Sequence, residues 1–302
     1  MRVERPADRR FARLATVISA GAGAALGAMF AAGAGAVAGL LAGALVGLLL
    51  QRALGRRAAR RRAALASPFP ESWRELLLRR YDHYERLDAG RRGRFEDDLR
   101  IFLAEKRITG VGVEVDDELR LLVAASAVTL SLGWPDYEWD PLTEVLLYPD
   151  DFDRDYNLGQ SDRAGEAHTS GTVILSVPSL LESFECPDDA FHVGLHEFAH
   201  LLGHELYGDY ARLDAIPAGF GEDRAREWQS LCEREMERLR RGKSAFDDYG
   251  ADDPVEFLGV AIEAFFEIPQ VVRRRHREVY AILCAYFGQD PAAWDDARGL
   301  KE

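Results

Sequence analysis

An uncharged stretch near the start of the chain restricts its fold more than any other feature. From Leu14 to Leu50 the chain runs for 37 residues without a charged side chain. One membrane-spanning helix needs about 20 such residues, so the run is too long for one comfortable span and suits two short ones. Glycines at 35, 39, 43 and 47 form a small-residue face that lets helices approach closely in lipid. We therefore expect a helical membrane hairpin over residues 14–50, with its turn near 31–36.

Arginines flank this run on both sides. Residues 1–62 contain 11 Arg and no Lys against Glu4 and Asp8, a formal charge of +9. Because basic flanks stay on the cytoplasmic side, we expect a basic tail over 1–13 and a basic juxtamembrane linker over 51–69, both in the cytosol. A single tilted span, a cleaved signal peptide and a soluble Ala/Gly-rich packing helix are the alternatives. The length of the run and the arginines after it disfavour the signal peptide.

The rest of the chain has the composition of a folded, acidic domain. The whole chain is 47% hydrophobic and carries a net charge of −13, which leaves −22 for residues 63–302. A body so acidic is unsuited to direct contact with nucleic acid, because phosphate contacts need a positive surface. The three cysteines form no CxxC pair, so neither an all-thiolate zinc site nor a disulfide framework is expected.

Helical and strand patterns alternate along residues 70–302, which we expect to form one α+β domain. A polar loop is predicted over 150–168, between two short β-branched runs. Two aspartates at the start of the fourth predicted helix suit a helix N-terminus, and Gly203 suits its end. The predicted strands are 143–149 and 171–178, and the predicted helices are 70–87, 93–108, 118–133, 188–203, 222–242, 253–268 and 271–288.

The fourth of these helices carries histidines at 192, 196, 200 and 204. Residues four apart lie on one face of a helix, so neighbouring imidazoles can share one metal ion. Only the pair His196 and His200 has a glutamate, Glu197, directly after its first histidine. This HExxH arrangement places two imidazoles on a metal and a carboxylate beside the open coordination position. His192 and His204 are interpreted as supporting or surface histidines.

A catalytic zinc needs a third protein ligand. The extended pattern HExxHxxGxxH is matched through Gly203 and then fails, because position 206 is Leu. Asp209 and Asp214 are possible aspartate ligands. Glu256 is the stronger candidate, because it shares one otherwise apolar helix face with Glu263, where an acid is costly to bury without a positive partner. A glutamate at the solvent edge of that helix is the plain alternative.

Several separated segments resemble one known family. They are "LLYPDDF" (146–152), "GTVILSVPSLLESF" (171–184), "HEFAHLLG" (196–203), "FDDYGADDPVEFLGVAIEAFF" (246–266) and "YFGQDPAAW" (286–294). In order and spacing they resemble the Mlc titration factor A family of zinc metallopeptidases, over roughly residues 70–295. That family is related in its catalytic core to the protease domain of anthrax lethal factor. The resemblance implies a zincin-like fold of the gluzincin type.

The resemblance also implies a set of site residues. His196 and His200 match the zinc histidines of the family, Glu256 its glutamate ligand and Glu197 its general base. Tyr249 matches a tyrosine that faces the metal and would steady the tetrahedral oxyanion, a role suited to a phenol O–H. Glu263 matches a further acid, which would orient a histidine through its free N–H.

Two features depart from the family pattern. The family usually has Asp where this chain has Gly203, so a contact with a metal-binding histidine is missing or comes from Asp209. The N-terminal hydrophobic region is absent from the soluble bacterial members, so the repressor Mlc is not carried over as a partner.

The sequence therefore predicts a zinc peptidase, with one Zn²⁺ per chain, anchored in the cytoplasmic membrane with its catalytic domain in the cytosol. Glu197 would act as general base on zinc-activated water, and the substrate would be a peptide or protein. The sequence does not separate an aminopeptidase from an endopeptidase. The alternative is a zinc-containing regulatory module that sequesters a transcription regulator or another protein at the membrane.

Overall fold

The chain divides into two compact units, Met1–Pro68 and Phe69–Glu302. The computed structural model describes Met1 and residues 6–30, 33–134, 136–159, 163–168, 170–204 and 222–297.

The first unit contains two helices, α1 (Pro6–Phe30) and α2 (Ala34–Ala64), packed antiparallel. Their backbones touch at glycines: a Cβ added to Gly23 would lie 2.2 Å from the Gly39 oxygen, and one on Gly43 would lie 2.1 Å from the Ser19 oxygen. The Arg-rich stretch after the uncharged run is the C-terminal part of α2. Among the described residues, α2 is the one helix long and apolar enough to cross a membrane, a criterion that some soluble core helices and signal sequences also meet.

The second unit is mainly helical. Residues Asp248–Ala251 form a short 3₁₀ helix. The α-helices are α3 (Glu71–Arg80), α4 (Asp82–Arg86), α5 (Ala89–Glu105), α6 (Asp117–Ser131), α7 (Val177–Glu185), α8 (Val193–His204), α9 (Glu222–Arg240), α10 (Pro254–Glu267), α11 (Pro269–Arg275), α12 (Arg277–Phe287) and α13 (Pro291–Ala297).

A four-stranded sheet accompanies these helices. Its strands are β1 (Arg107–Gly110), β2 (Glu144–Tyr148), β3 (Gly165–Ala167) and β4 (Thr172–Ser176), in the order β1-β2-β4-β3. The pairs β1–β2 and β2–β4 are parallel, and β3 runs antiparallel to β4 at the edge of the sheet. The prediction of a mixed helical and β structure is thus confirmed.

Several predicted elements have different bounds in the structure. The helix predicted over 93–108 ends at Glu105, because Ile108 pairs with Val145 in a parallel ladder that sequence periodicity does not reveal. The loop predicted over 150–168 contains β3, which is likewise formed by pairing with a distant strand. The strand predicted over 171–178 gives way to α7 at Val177, where the Ser176 hydroxyl accepts a hydrogen bond from the Ser179 amide.

Three predicted helices were also wrong in their extent. The stretch 70–87 is two helices interrupted at Tyr81, whose hydroxyl pairs with Thr129 Oγ1 at 2.6 Å in the interior. The stretch 271–288 is interrupted at His276, and the fourth predicted helix, 188–203, begins only at Val193. In the first two cases a buried side chain makes a tertiary contact at the interruption.

Helix α8 lies in the core of this unit. Phe198, fully buried, meets the rings of Phe102 at 6.2 Å and Trp139 at 5.3 Å in edge-to-face contacts. Burying one such side chain contributes about 1.5–3 kcal/mol to stability. The apolar face of α8 therefore anchors the helix, and its histidine face turns toward β3 and α10.

Candidate metal centre

Helix α8 brings the three residues of the HExxH motif together. His196, Glu197 and His200 are all buried, with exposed fractions of 8%, 6% and 8%. One candidate ligand atom from each lies within 4.8 Å of those of the other two. Their clustering follows from the i, i+4 spacing of the histidines, as expected from the sequence.

The start of α8 is held by side chains from other helices. The His192 amide donates to Glu263 Oε1 at 2.8 Å, and the Val193 amide donates to Ser183 Oγ at 3.0 Å. The expectation that Asp188 and Asp189 begin this helix was therefore wrong. His192 is buried rather than at the surface, and it shares Glu263 with His196.

Helix α10 places two carboxylates on either side of the His196 ring. Glu263 Oε2 lies 3.1 Å from Nδ1, and Glu256 Oε2 lies 2.9 Å from Nε2. The same Glu256 oxygen is 3.6 Å from His200 Nε2. Since an ionised Glu263 only accepts hydrogen bonds, Nδ1 of His196 carries a proton, and Nε2 faces Glu256.

The start of α10 fixes Glu256. The Asp253 carboxylate accepts hydrogen bonds from the amides of Val255 at 2.7 Å and Glu256 at 3.1 Å, and Pro254 occupies the first turn. These are standard helix-initiating contacts, which place Glu256 in the first turn, where the helix dipole favours a carboxylate.

Two glycines make room for this cluster. A Cβ added to Gly259 would lie 2.4 Å from His196 Cε1, so α10 can approach the imidazole only without a side chain there. A Cβ added to Gly165 on β3 would lie 2.6 Å from Glu197 Cγ. The glutamate of the motif is therefore packed directly against the backbone of the edge strand.

The donor set fits a metal ion that prefers two imidazoles and one carboxylate. Donors about 2.1 Å from a tetrahedral ion lie roughly 3.4 Å apart. The two distances from Glu256 Oε2 to the imidazole nitrogens, 2.9 and 3.6 Å, bracket that value. A carboxylate oxygen so close to an imidazole nitrogen needs either a hydrogen-bonding proton or a metal ion between them.

The same charges shift the ionisation of the site. Burial opposes protonation of His196, but Glu263 and Glu256 outweigh it and raise the pKa of His196 well above its ordinary value. Burial raises the pKa of Glu197 to about 8, and the nearby Glu256 and Glu263 add to that effect despite the opposing charge of His196. Glu197 is therefore easier to protonate than an exposed glutamate.

Tyr249, on the 3₁₀ helix, faces the same cluster. Its ring centroid lies 6.0 Å from that of His196, and 52% of the residue is exposed. Burial raises the pKa of Tyr249 to about 12, helped by Glu256 and Glu197. The phenol therefore keeps its proton at neutral pH and is a hydrogen-bond donor.

A cavity of about 850 Å³ opens over this cluster. Its walls include β3, the 3₁₀ helix and the first turn of α10, so Glu197, Tyr249 and Glu256 all line one space. Arg163 is the one arginine or lysine among the described lining residues, and its guanidinium lies 2.9 Å from Glu166 Oε2. A cavity of this size accommodates several residues of a peptide.

The structure brings together all six residues singled out from the sequence: His196, Glu197, His200, Tyr249, Glu256 and Glu263. Asp209 and Asp214, the alternative ligands, lie outside the described residues, and so does the side chain of His204. Sequence analysis missed Gly165, Gly259 and Arg163. A glycine or arginine gives no local signal of this kind, because its role depends on which distant element packs against it.

The fold and the site together define a protein with the features of a metallopeptidase. A family model described as "Glucose-regulated metallo-peptidase M90" matches residues 56–288, and the chain belongs to this family. The expected resemblance is thereby confirmed.

Three relatives illustrate the similarity. The uncharacterized protein slr2042 of Synechocystis sp. is 31% identical over 240 residues, which cover 74% of this chain and 86% of the relative. Mlc titration factor A of Edwardsiella ictaluri is 28% identical over 238 residues, covering 74% of this chain and 88% of the relative. Mlc titration factor A of Yersinia enterocolitica is 28% identical over 191 residues, covering 58% and 68%.

Proposed function

We propose that this chain is a membrane-tethered zinc peptidase with a gluzincin-type site. One observation carries the proposal: Glu256 Oε2 meets His196 Nε2 at 2.9 Å and His200 Nε2 at 3.6 Å, beside the buried Glu197. His196, His200 and Glu256 would hold the metal. When bound, zinc supplies Lewis acidity, which lowers the pKa of a coordinated water and polarises a carbonyl.

Protein groups would supply the remaining chemistry. Glu197, buried beside the two histidines, accepts the proton of the attacking water and returns it to the leaving amine. The Tyr249 hydroxyl donates a hydrogen bond to the carbonyl oxygen as negative charge develops there. Glu263 holds the His196 ring in orientation through Nδ1.

The edge strand β3 would align the substrate. Gly165 and Glu166 line the cavity, and Gly165 lies against Glu197. An extended peptide that pairs with an edge strand presents its carbonyls at regular spacing. A peptide bound along β3 would therefore place one peptide bond close to Glu197.

The first unit would anchor the enzyme in the cytoplasmic membrane. Large apolar side chains of α1 and α2 are exposed, including Val17 at 69%, Met29 at 79% and Leu41 at 65%. An apolar surface of this extent is unfavourable in water and suits a lipid environment. The arginines that flank it favour a cytosolic location for both flanks and for the catalytic unit.

The test of peptidase activity is Glu197→Gln in the full-length chain purified in detergent. The carboxamide keeps the shape of the side chain but cannot take the proton, so hydrolysis should fall by roughly 10²–10⁴-fold with bound zinc unchanged. Chromogenic aminoacyl amides and internally quenched peptides, used side by side, separate aminopeptidase from endopeptidase activity. Glu227→Gln, an exposed residue of α9, is the control and should keep full activity. Undiminished hydrolysis in Glu197→Gln would refute the mechanism.

The second candidate function is sequestration of a transcription regulator at the membrane. The name Mlc titration factor A, carried by several relatives, favours it. Sequestration needs a binding surface rather than a general base. If this is the function, Glu197→Gln will retain full regulator binding and the wild type will cleave neither class of substrate.

A further inference from the structure

The segment that carries Tyr249 is a connection, and it is anchored at both ends. Residues 241–253 join α9 to α10 and include the 3₁₀ helix. On one side, Gly250 packs so closely on α10 that a Cβ there would lie 2.4 Å from Val260 Cγ2. Within the segment, the Asp247 carboxylate accepts a hydrogen bond from the Tyr249 amide at 2.8 Å.

The other anchor is His276, which lies between α11 and α12 and does not line the cavity. Its Nε2 accepts a hydrogen bond from the Ala245 amide at 3.1 Å, and its ring centroid lies 4.2 Å from that of Phe246. The His276 side chain is fully buried. One imidazole therefore contacts both the backbone and the adjacent side chain of the segment.

The tautomer and the orientation of this imidazole are set by Glu235 of α9. Since Nε2 accepts the amide proton, the proton of the neutral ring is on Nδ1, which donates to Glu235 Oε2 at 2.7 Å. Arg238 donates to the other oxygen of Glu235 at 2.7 Å. Burial opposes ionisation of Glu235, but the hydrogen bonds of His276 and Arg238 lower its pKa.

The contact continues toward the metal centre. Phe246 packs edge-to-face on Phe257 of α10 at 5.5 Å, and Phe257 directly follows Glu256. From His276 the chain of contacts runs through Ala245 and Phe246 to the segment that presents Tyr249. His276, Ala245 and Phe246 do not line the cavity, whereas Asp247, the next residue of the segment, does.

We propose that His276 is a positioning residue: with Glu235, it holds residues 245–251 so that the Tyr249 hydroxyl faces the reacting carbonyl. The consequence for catalysis rests on the proposed peptidase function. The effect of His276 on the position of residues 245–251 is independent of the proposed function. A residue that acts in this way contributes to kcat through Tyr249 and leaves the metal ligands in place.

The kinetic test is His276→Leu in the full-length chain, alone and combined with Tyr249→Phe. Misplacing a catalytic group by a fraction of an ångström should lower kcat roughly 10- to 100-fold, with KM and zinc content maintained. In the Tyr249→Phe background, His276→Leu should have little further effect, because the group that it positions is already gone. His276→Gln, whose amide oxygen can accept a hydrogen bond from the Ala245 amide, should lower kcat less than His276→Leu does.

The control is His83→Leu. His83 is also buried, and its ring nitrogens have no hydrogen-bond partner among the described residues. Replacing it removes a buried imidazole but no support of the segment, so kcat should not change. A drop of equal size in His83→Leu would mean that any buried histidine has this effect and would overturn the proposal.

A second measurement does not depend on activity. Amide hydrogen exchange should show lost protection over residues 245–251 in His276→Leu, with α8 and the body of α10 still protected. If wild type and variants show no hydrolysis, the proposed function fails and exchange alone decides the positioning role. Unchanged protection of 245–251, or additive losses of kcat in the double variant, would overturn the proposal.

Discussion

At the scale of single residues, Gly165 leaves the space that the Glu197 side chain occupies. A Cβ at this position would lie 2.6 Å from Glu197 Cγ and 2.7 Å from Oε1, so Glu197 would have to move. The three atoms nearest to the added Cβ all belong to Glu197. We therefore expect a side chain at position 165 to displace the proposed base, Glu197, more than the proposed metal ligands.

Gly165→Ala should lower peptide hydrolysis roughly 10- to 100-fold, because the general base is displaced, and should leave zinc content unchanged. The measurements are kcat and zinc per chain. Gly93→Ala is the matched control: it lies inside α5 with no heavy atom within 4 Å of the added Cβ. That change should keep full activity and stabilise the helix by about 0.5–1 kcal/mol. Full activity in Gly165→Ala would show that the position of Glu197 is not restricted by β3.

Residue types and spacing predict part of the site but not its packing. His196, Glu197 and His200 follow from helical periodicity, since residues four apart must share a face. Glu256 and Glu263 could be suggested because acids on an apolar face need a positive partner. Gly165 and Gly259 could not be predicted, because a glycine becomes necessary only when a distant element packs against it.

At the scale of elements, the N-terminus of α8 depends on a carboxylate from α10. Glu263 accepts hydrogen bonds from the His192 amide at 2.8 Å and from His196 Nδ1 at 3.1 Å. Because both bonds go to one carboxylate, the start of α8 and the orientation of the His196 ring are coupled. From the sequence, Asp188 and Asp189 were expected to cap the start of α8. A cap supplied by a distant helix, such as Glu263 of α10, leaves no local sequence pattern.

Glu263→Gln should weaken both the cap of α8 and the orientation of the His196 ring. Its amide has only one acceptor oxygen, so either the His192 amide or His196 Nδ1 faces an NH₂ group. Zinc affinity should fall roughly 10- to 100-fold, and unfolding free energy should fall by about 1–3 kcal/mol. Competition with a zinc chelator and thermal unfolding measure the two effects.

A control for that change is Glu278→Gln. Glu278 is an exposed residue of α12 that forms an ion pair with Arg234 of α9. A surface ion pair contributes little, so zinc affinity should stay the same. If Glu263→Gln behaves like this control, Glu263 does not orient His196.

Strand and helix bounds show the same division between local and distant causes. Helices α6, α9 and α10 match their sequence patterns within about two residues, as the periodicity of long segments allows. The strands β1 and β3 exist only through pairing with β2 and β4. Their short sequences carry no alternation strong enough to reveal them.

At the scale of the whole molecule, an apolar helix pair precedes the metallopeptidase unit in the chain. If α1 and α2 lie in the membrane, the full-length chain should resist alkaline carbonate extraction from membranes. Leu41→Arg with Leu45→Arg should release it, because each arginine at mid-membrane costs about 2.5–3.5 kcal/mol on insertion scales. Leu41→Ala with Leu45→Ala should stay in the membrane. Extraction of the wild type by carbonate would refute the anchor.

The arrangement of the two helices can be tested in the same cells. A hairpin places both chain termini in the cytosol, whereas a single span places the N-terminus on the opposite side. Protease protection of N-terminal and C-terminal tags distinguishes the two. Protection of only the C-terminal tag would contradict the hairpin.

In the proposed site, one metal ion held by His196, His200 and Glu256 would join α8 to α10. Zinc per chain in the full-length protein purified in detergent tests it most directly, for the wild type beside Glu256→Ala and the exposed control Glu278→Ala. We expect about one zinc per chain in the wild type and the control, and its loss or sharp weakening in Glu256→Ala. Zinc retained undiminished in Glu256→Ala, or no zinc in the wild type after incubation with the metal, would contradict the claim.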